Sequence, residues 1–146
     1  MKRFILAIFM VSLMVSTGYG AESCVQTLKS KNGINVLSIA WVTDASGNFV
    51  ARETAYPIDG WVVMVETDPS GTAAPTDDYD PALTSTATGV DVMGGALADR
   101  DTANTELVMP LVNSEVVRMP VLGTLTFDVT NAGASKGGTL NIYFVR

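Results

Sequence analysis

Along most of the chain, apolar and polar residues take turns in short runs broken by Gly, Asn, Asp and Pro. The C-terminal third shows this best. In "GTLTFDVTN" (residues 123–131), Leu125, Phe127 and Val129 alternate with Thr124, Thr126, Asp128 and Thr130. In "GTLNIYFVR" (residues 138–146), Leu140, Ile142 and Phe144 alternate with Thr139, Asn141 and Tyr143. A period of two places successive side chains on opposite faces of a strand. The two runs therefore predict strands with those six apolar residues turned to a core and Thr124, Thr126 and Thr139 turned outward. The intervening "AGASKG" predicts that they pair as a hairpin.

The same texture continues upstream. "VQTLKSK" and "INVLSIAWV" flank Asn32-Gly33, the strongest two-residue hairpin signal. A second turn at Ala45-Ser46-Gly47-Asn48 is expected to join "INVLSIAWVTD" to "FVARETAYPI". "GWVVMVETD" (Gly60 to Asp68) is almost continuously apolar, which predicts a strand covered on both faces, with Trp41 and Trp61 packed in the core. "GGALADRDTANTE" has room for a single helical turn around Ala96 to Arg100 and no more. The pattern predicts about eight to ten short strands, an all-β, single antiparallel β-sandwich of immunoglobulin-like or jelly-roll type. A small closed barrel is the alternative.

Residues 1–20 stand apart from this pattern. A basic Met1-Lys2-Arg3 start, the uncharged run Phe4 to Ser16 and the small residues Gly18 and Gly20 have the layout of a secretory signal peptide cleaved before Ala21. The apolar run is shorter than the roughly 20 residues of a membrane span. The expected division is thus a signal peptide at 1–20 and a β-sandwich domain at 21–146, exported with no membrane anchor after cleavage. Loss of Lys2 and Arg3 moves the formal net charge from −6 to −8. Such a surface disfavours nucleic acid and anionic membranes as partners. Cys24, the single cysteine, has no internal disulfide partner.

The composition removes much chemistry. The 146 residues contain no histidine, so a His-based triad and most zinc or copper sites are excluded. No nucleophile-elbow, phosphate-loop or dinucleotide-binding motif is present. The chain reads as non-enzymatic, without catalytic residues or cofactors. Calcium is the one ion to weigh, with Asp77, Asp78, Asp80, Asp99 and Asp101 as weak candidate ligands. Neither acidic run has the spacing of a dedicated calcium loop. Counted from Asp78, the fifth, sixth and twelfth positions are Ala82, Leu83 and Gly89; counted from Asp99, the fifth and sixth are Ala103 and Asn104. The expected role of these carboxylates is to shape loops in water. Tyr79, inside the first acidic run, is the aromatic residue expected at a binding surface. Pro110 and Pro120, in "LVMPLV" and "VRMPVL", cannot donate to a ladder and mark a candidate assembly edge.

Residues 34–146 resemble a group of small phage and prophage virion-associated proteins. The resemblance lies in Thr67-Asp68-Pro69, Ala74-Pro75-Thr76 and Tyr79-Asp80, then in "GVDVMGG" at Gly89 to Gly95, then in the closing run from Gly123 to Phe144. It implies a structural β-sandwich subunit of a particle surface, of decoration or fibre-associated type, with its own copies or other structural subunits as partners. The leader points to export, so a virion and an exported surface or filament both stand as settings. The competing function is a secreted module that binds a glycan or a surface protein through its acidic loops.

Overall fold

The Asn32-Gly33 signal does what its chemistry requires. Both residues take positive φ, 52° and 80°, the primed turn that matches the twist of a two-residue hairpin. It joins β1 (Ser23–Lys31) to β2 (Ile34–Val42), which pair without interruption from Ser23↔Val42 to Lys31↔Ile34. This computed structural model describes residues 20–146, so the signal peptide expected at 1–20 lies outside the described residues except for Gly20.

Nine further strands follow: β3 (Arg52–Glu53), β4 (Gly60–Pro69), β5 (Asp80–Ser85), β6 (Glu106–Val108), β7 (Leu111–Val112), β8 (Glu115–Val116), β9 (Met119–Val121), β10 (Leu125–Thr130) and β11 (Gly137–Val145). The total exceeds the eight to ten expected because β3, β7 and β8 are two-residue strands that alternation is too short to signal. The large sheet runs β1-β2-β11-β4-β6, with β9 also on β4; the small sheet runs β3-β10-β5; β7 and β8 pair with each other. All pairings are antiparallel. No helical segment occurs among the described residues, and Gly94 to Ala98 forms overlapping turns, such as Ala96 N–H to the Met93 carbonyl, instead of a helical turn.

The inward faces of the two sheets make one core. Leu37, Ile39, Val65, Leu140, Ile142 and Phe144 of the large sheet meet Leu83, Leu125, Phe127 and Val129 of the small one. All six apolar residues expected to face inward in the last two strands are buried. Their expected partnership is corrected: β10 pairs with β3 and β5, while β11 pairs with β2 and β4. Alternation fixes which face is apolar but says nothing of the neighbour, and the linker at 131–136 is long enough to cross the ~10 Å between sheets. Thr43 anchors that crossing. Its Oγ1 donates to the Gly133 carbonyl (2.7 Å) and accepts from the Lys136 N–H (2.9 Å).

The turn at 45–48 is likewise a crossing, not a hairpin. The Asp44 carboxylate accepts from the N–H groups of Ser46 and Asn48, both at 2.8 Å, and the chain then passes to the small sheet. Phe49 on this passage meets Phe127 edge-on at 5.4 Å. Gln26 clips the sheets together on the other side: its Nε2 donates to the Glu53 carbonyl (3.0 Å) and its Oε1 accepts the Ala55 N–H (2.7 Å).

In β4 the register shifts at the step from Tyr143↔Met64 to Phe144↔Val62, leaving Val63 as the extra residue of a bulge. The apolar run in "GWVVMV" therefore does not reflect cover on both faces. The bulge spaces the inward Val62 and Val65 three apart, and Trp61 stands 49% exposed on the outer face.

Candidate functional site

The two acidic runs are brought together. Tyr79 and Arg100 form an isolated antiparallel bridge, with the Arg100 N–H on the Tyr79 carbonyl at 3.0 Å. Asp80 accepts the Asp99 N–H (2.9 Å) at one oxygen and the Asn131 amide (2.7 Å) at the other. Asp101 closes its own turn by accepting from the N–H groups of Ala103 (2.6 Å) and Asn104 (2.9 Å) and from the Asn104 amide (3.0 Å). Asp77, Asp78 and Asp99 are exposed, the last two at positive φ of 60° and 55°. Such short polar side chains tolerate that conformation best after glycine. Asp80 and Asp101 thus act through backbone N–H groups that a loop must satisfy somewhere.

Two of these turn-closing carboxylates carry a pH signature. The Asn48 N–H holds the Asp44 carboxyl below its ordinary value of 3.8, and the Asn104 amide does the same for Asp101. A depressed folded-state value gives stability that is present above the ordinary value and lost as pH falls through the folded one. Thermal melts should therefore be flat from neutral pH to about 5 and fall below about 4. Asp101→Asn should flatten that acid limb, and an unchanged limb would remove the turn from the explanation.

Tyr79 is not at the surface, which corrects the expectation that it would be. It is 1% exposed and stacks obliquely on Trp41 at 5.9 Å. The bridge to Arg100 turns its side chain inward although both neighbours are acidic, since alternation within the short pairing outweighs loop composition. Burial pushes the phenol's pKa above its ordinary value. Trp41 is core, as expected, at 2% exposure. Trp61 and Tyr79 have exchanged the places their surroundings suggested.

Trp61 leads to the surface that sequence reasoning missed. Ile34, Val145, Trp61 and Pro120 stand side by side across β2, β11, β4 and β9 on the outer face of the large sheet. Val36, Tyr143 and Met64 form the next row. Between the rows lies a shallow depression of about 230 Å³, with Arg118 at its margin. Lys29 and Lys31 flank these rows on β1, and the polar row Ser38-Asn141-Glu66 ends them. The outer face of an antiparallel sheet in water ordinarily carries polar residues. The signal was available in "IYFVR" and "GWVVMV", where apolar residues occupy both phases of the alternation.

The rim beside this face is also apolar. β6 and β9 share one edge of β4, and the β7–β8 hairpin projects between them from a turn whose Asn113 and Ser114 both have positive φ. Pro120 lies on the outermost strand there, while Pro110 is buried between β6 and β7, its carbonyl accepting the Val117 N–H at 3.0 Å. Of the two prolines expected to mark an assembly edge, Pro120 thus sits exposed on an edge strand, whereas Pro110 is covered because the chain turns inward between β6 and β7. A groove of about 550 Å³ runs between β9 and residues 87–92, walled by Trp61, Val90, Val92, Pro120 and Leu122 with Asp59 at its margin.

Cys24 sits opposite Trp41 on β1, half-buried on the core side, and burial pushes its thiol pKa up. Among the described residues no cluster of three or more metal-ligating side chains is assembled. No protein-family model, curated protein or solved structure matches the chain.

Proposed function

We propose that this chain is a non-enzymatic structural module that is exported and assembles on a particle or cell surface. The observation that carries the reading is the pair of apolar rows on the outer face of the large sheet. Exposed contiguous apolar patches on a soluble domain mark contact surfaces. A sheet face with Ile34, Trp61 and Pro120 in one row is suited to lie against another protein subunit. The resemblance to virion-associated proteins points the same way, towards a decoration or fibre-associated subunit. The acidic composition fits protein partners better than nucleic acid. An assembly role also fits a chain without histidine, in which Asp80 and Asp101 are occupied with backbone N–H groups.

Ile34→Lys tests the face directly. Ile34 is 51% exposed, so the substitution should change stability by no more than about 0.5 kcal/mol. It should nevertheless deplete the protein from the pelleted particle or surface fraction. Equal recovery of variant and parent in that fraction would contradict the proposal.

The second reading, a glycan-binding module, moves from Tyr79 to Trp61, whose exposed ring beside a groove is a stacking platform. Quenching or a spectral shift of tryptophan fluorescence with a defined polysaccharide, lost in Trp61→Ala, would favour it over assembly.

A further inference from the structure

Exposed apolar side chains concentrate on the rim where β6, β9 and the β7–β8 hairpin meet β4: Trp61, Val90, Met109, Val112, Val116 and Leu122. Five of them fall into two shapes. Val112 and Val116 stand on the projecting hairpin, and Trp61, Val90 and Leu122 wall the groove next to it. The hairpin is a fixed projection. The Leu111 N–H donates to the Met93 carbonyl (3.2 Å) and the Val117 N–H to the Pro110 carbonyl (3.0 Å), which seat its base on the loop after β5.

We infer that two copies of this chain associate through a two-fold contact in which the β7–β8 hairpin of each seats in the β9-side groove of the other. This rests on the assembly reading and names its first partner as a second copy. Three features select that occupant. A two-fold contact requires each copy to present both halves of the contact on one surface patch, and hairpin and groove are neighbours on one rim. Their apolar character matches: Val116, which shares one face of the hairpin with Leu111 while Val112 shares the other with Glu115, faces a tryptophan, a valine and a leucine. One pair of charges is also complementary, with Glu115 on the hairpin face away from Val116. Arg118 is exposed at the foot of the hairpin with no ion-pair partner among the described residues, and Asp59 lies at the groove margin. Asp59 uses Oδ1 to accept the Gly123 N–H (2.8 Å), which fixes the carboxylate at that margin.

The test uses protein purified after expression of the full-length chain and reads mass by multi-angle light scattering. Val116→Asp and Leu122→Lys each place a charge in the contact, one on the hairpin and one in the groove. Both positions are strongly exposed, at 62% and 78%, so near-ultraviolet circular dichroism should match the parent and verifies folding. The parent is expected to be dimeric and each variant alone monomeric. An equimolar mixture of the two should regain the dimer mass, because one junction is then native and the other pairs Asp with Lys. Variants as dimeric as the parent would overturn the hairpin-and-groove contact. So would a mixture that stays monomeric, since the two sites would then matter without meeting. A monomeric parent would overturn self-pairing altogether. The assembly reading is judged separately, by Ile34→Lys in the pelleted fraction.

Discussion

Phe127→Ala should lower the stability of the domain by about 3–5 kcal/mol, the cost of removing a fully buried aromatic ring. Phe127 lies in β10, the middle strand of the small sheet, opposite Leu83 and with no exposure to solvent. Its ring contacts Phe49 edge-on, so the substitution also strips that crossing segment of its main aromatic partner. Neighbours held in ladders on both sides cannot collapse fully into the void, which keeps the cost near the upper part of the range. Thr126, one residue earlier on the same strand, points to the other face, and Thr126→Ala should stay within about 0.5 kcal/mol. Urea unfolding of both variants decides the matter. Equal losses at 126 and 127 would mean that the strand's two faces are wrongly assigned.

Gly94→Ala should be the most damaging added methyl group at any glycine among the described residues, at about 3 kcal/mol or more. Two independent effects add. Gly94 has φ of 62°, where a Cβ costs about 1–2 kcal/mol. That Cβ would also overlap the carbonyl oxygen of Leu111, which is backbone and cannot swing aside. Gly95 supplies the control. Its φ is 80°, yet nothing lies within 4 Å of an added Cβ, so Gly95→Ala should show the conformational cost alone. Because Leu111 begins the β7–β8 hairpin, the Gly94 substitution should loosen that hairpin as well. Faster amide exchange at Leu111 and Val117 in Gly94→Ala, and not in Gly95→Ala, is the expected signature. Equal destabilisation by the two substitutions would place the hairpin off this loop.

The all-β class and the inward face of the long strands were legible because period-two alternation is a local property. Leu125, Phe127, Val129, Leu140, Ile142 and Phe144 needed only their own neighbours to be placed. Pairing is not local. Nothing in "AGASKG" says whether six residues turn back along one sheet or cross to the other, and the Thr43 contacts that hold the crossing come from 90 residues away in the chain. The surface was harder still. Trp61 lay hidden in an apolar run because a bulge at Val63 breaks the alternation that would have placed it outside. The acidic neighbours of Tyr79 predict exposure, and the pairing with Arg100 that buries it lies outside that local stretch. The outer rows exist only once β2, β11, β4 and β9 lie side by side. The acidic loops are the opposite case. Their failed calcium spacing was visible in the chain; Asp101 closes its own turn, and Asp80 ties that loop and Asn131 to the start of β5.

The account turns on whether the apolar rim and outer face are contact surfaces, and sedimentation equilibrium of the purified chain from micromolar to near-millimolar concentration tests that most directly. Reversible growth of the weight-average mass to twice the chain mass, suppressed by Val116→Asp in a folded protein, with growth beyond that mass suppressed by Ile34→Lys, is the result expected. A mass that stays at one chain over the whole range, and is the same for parent and both variants, would contradict it.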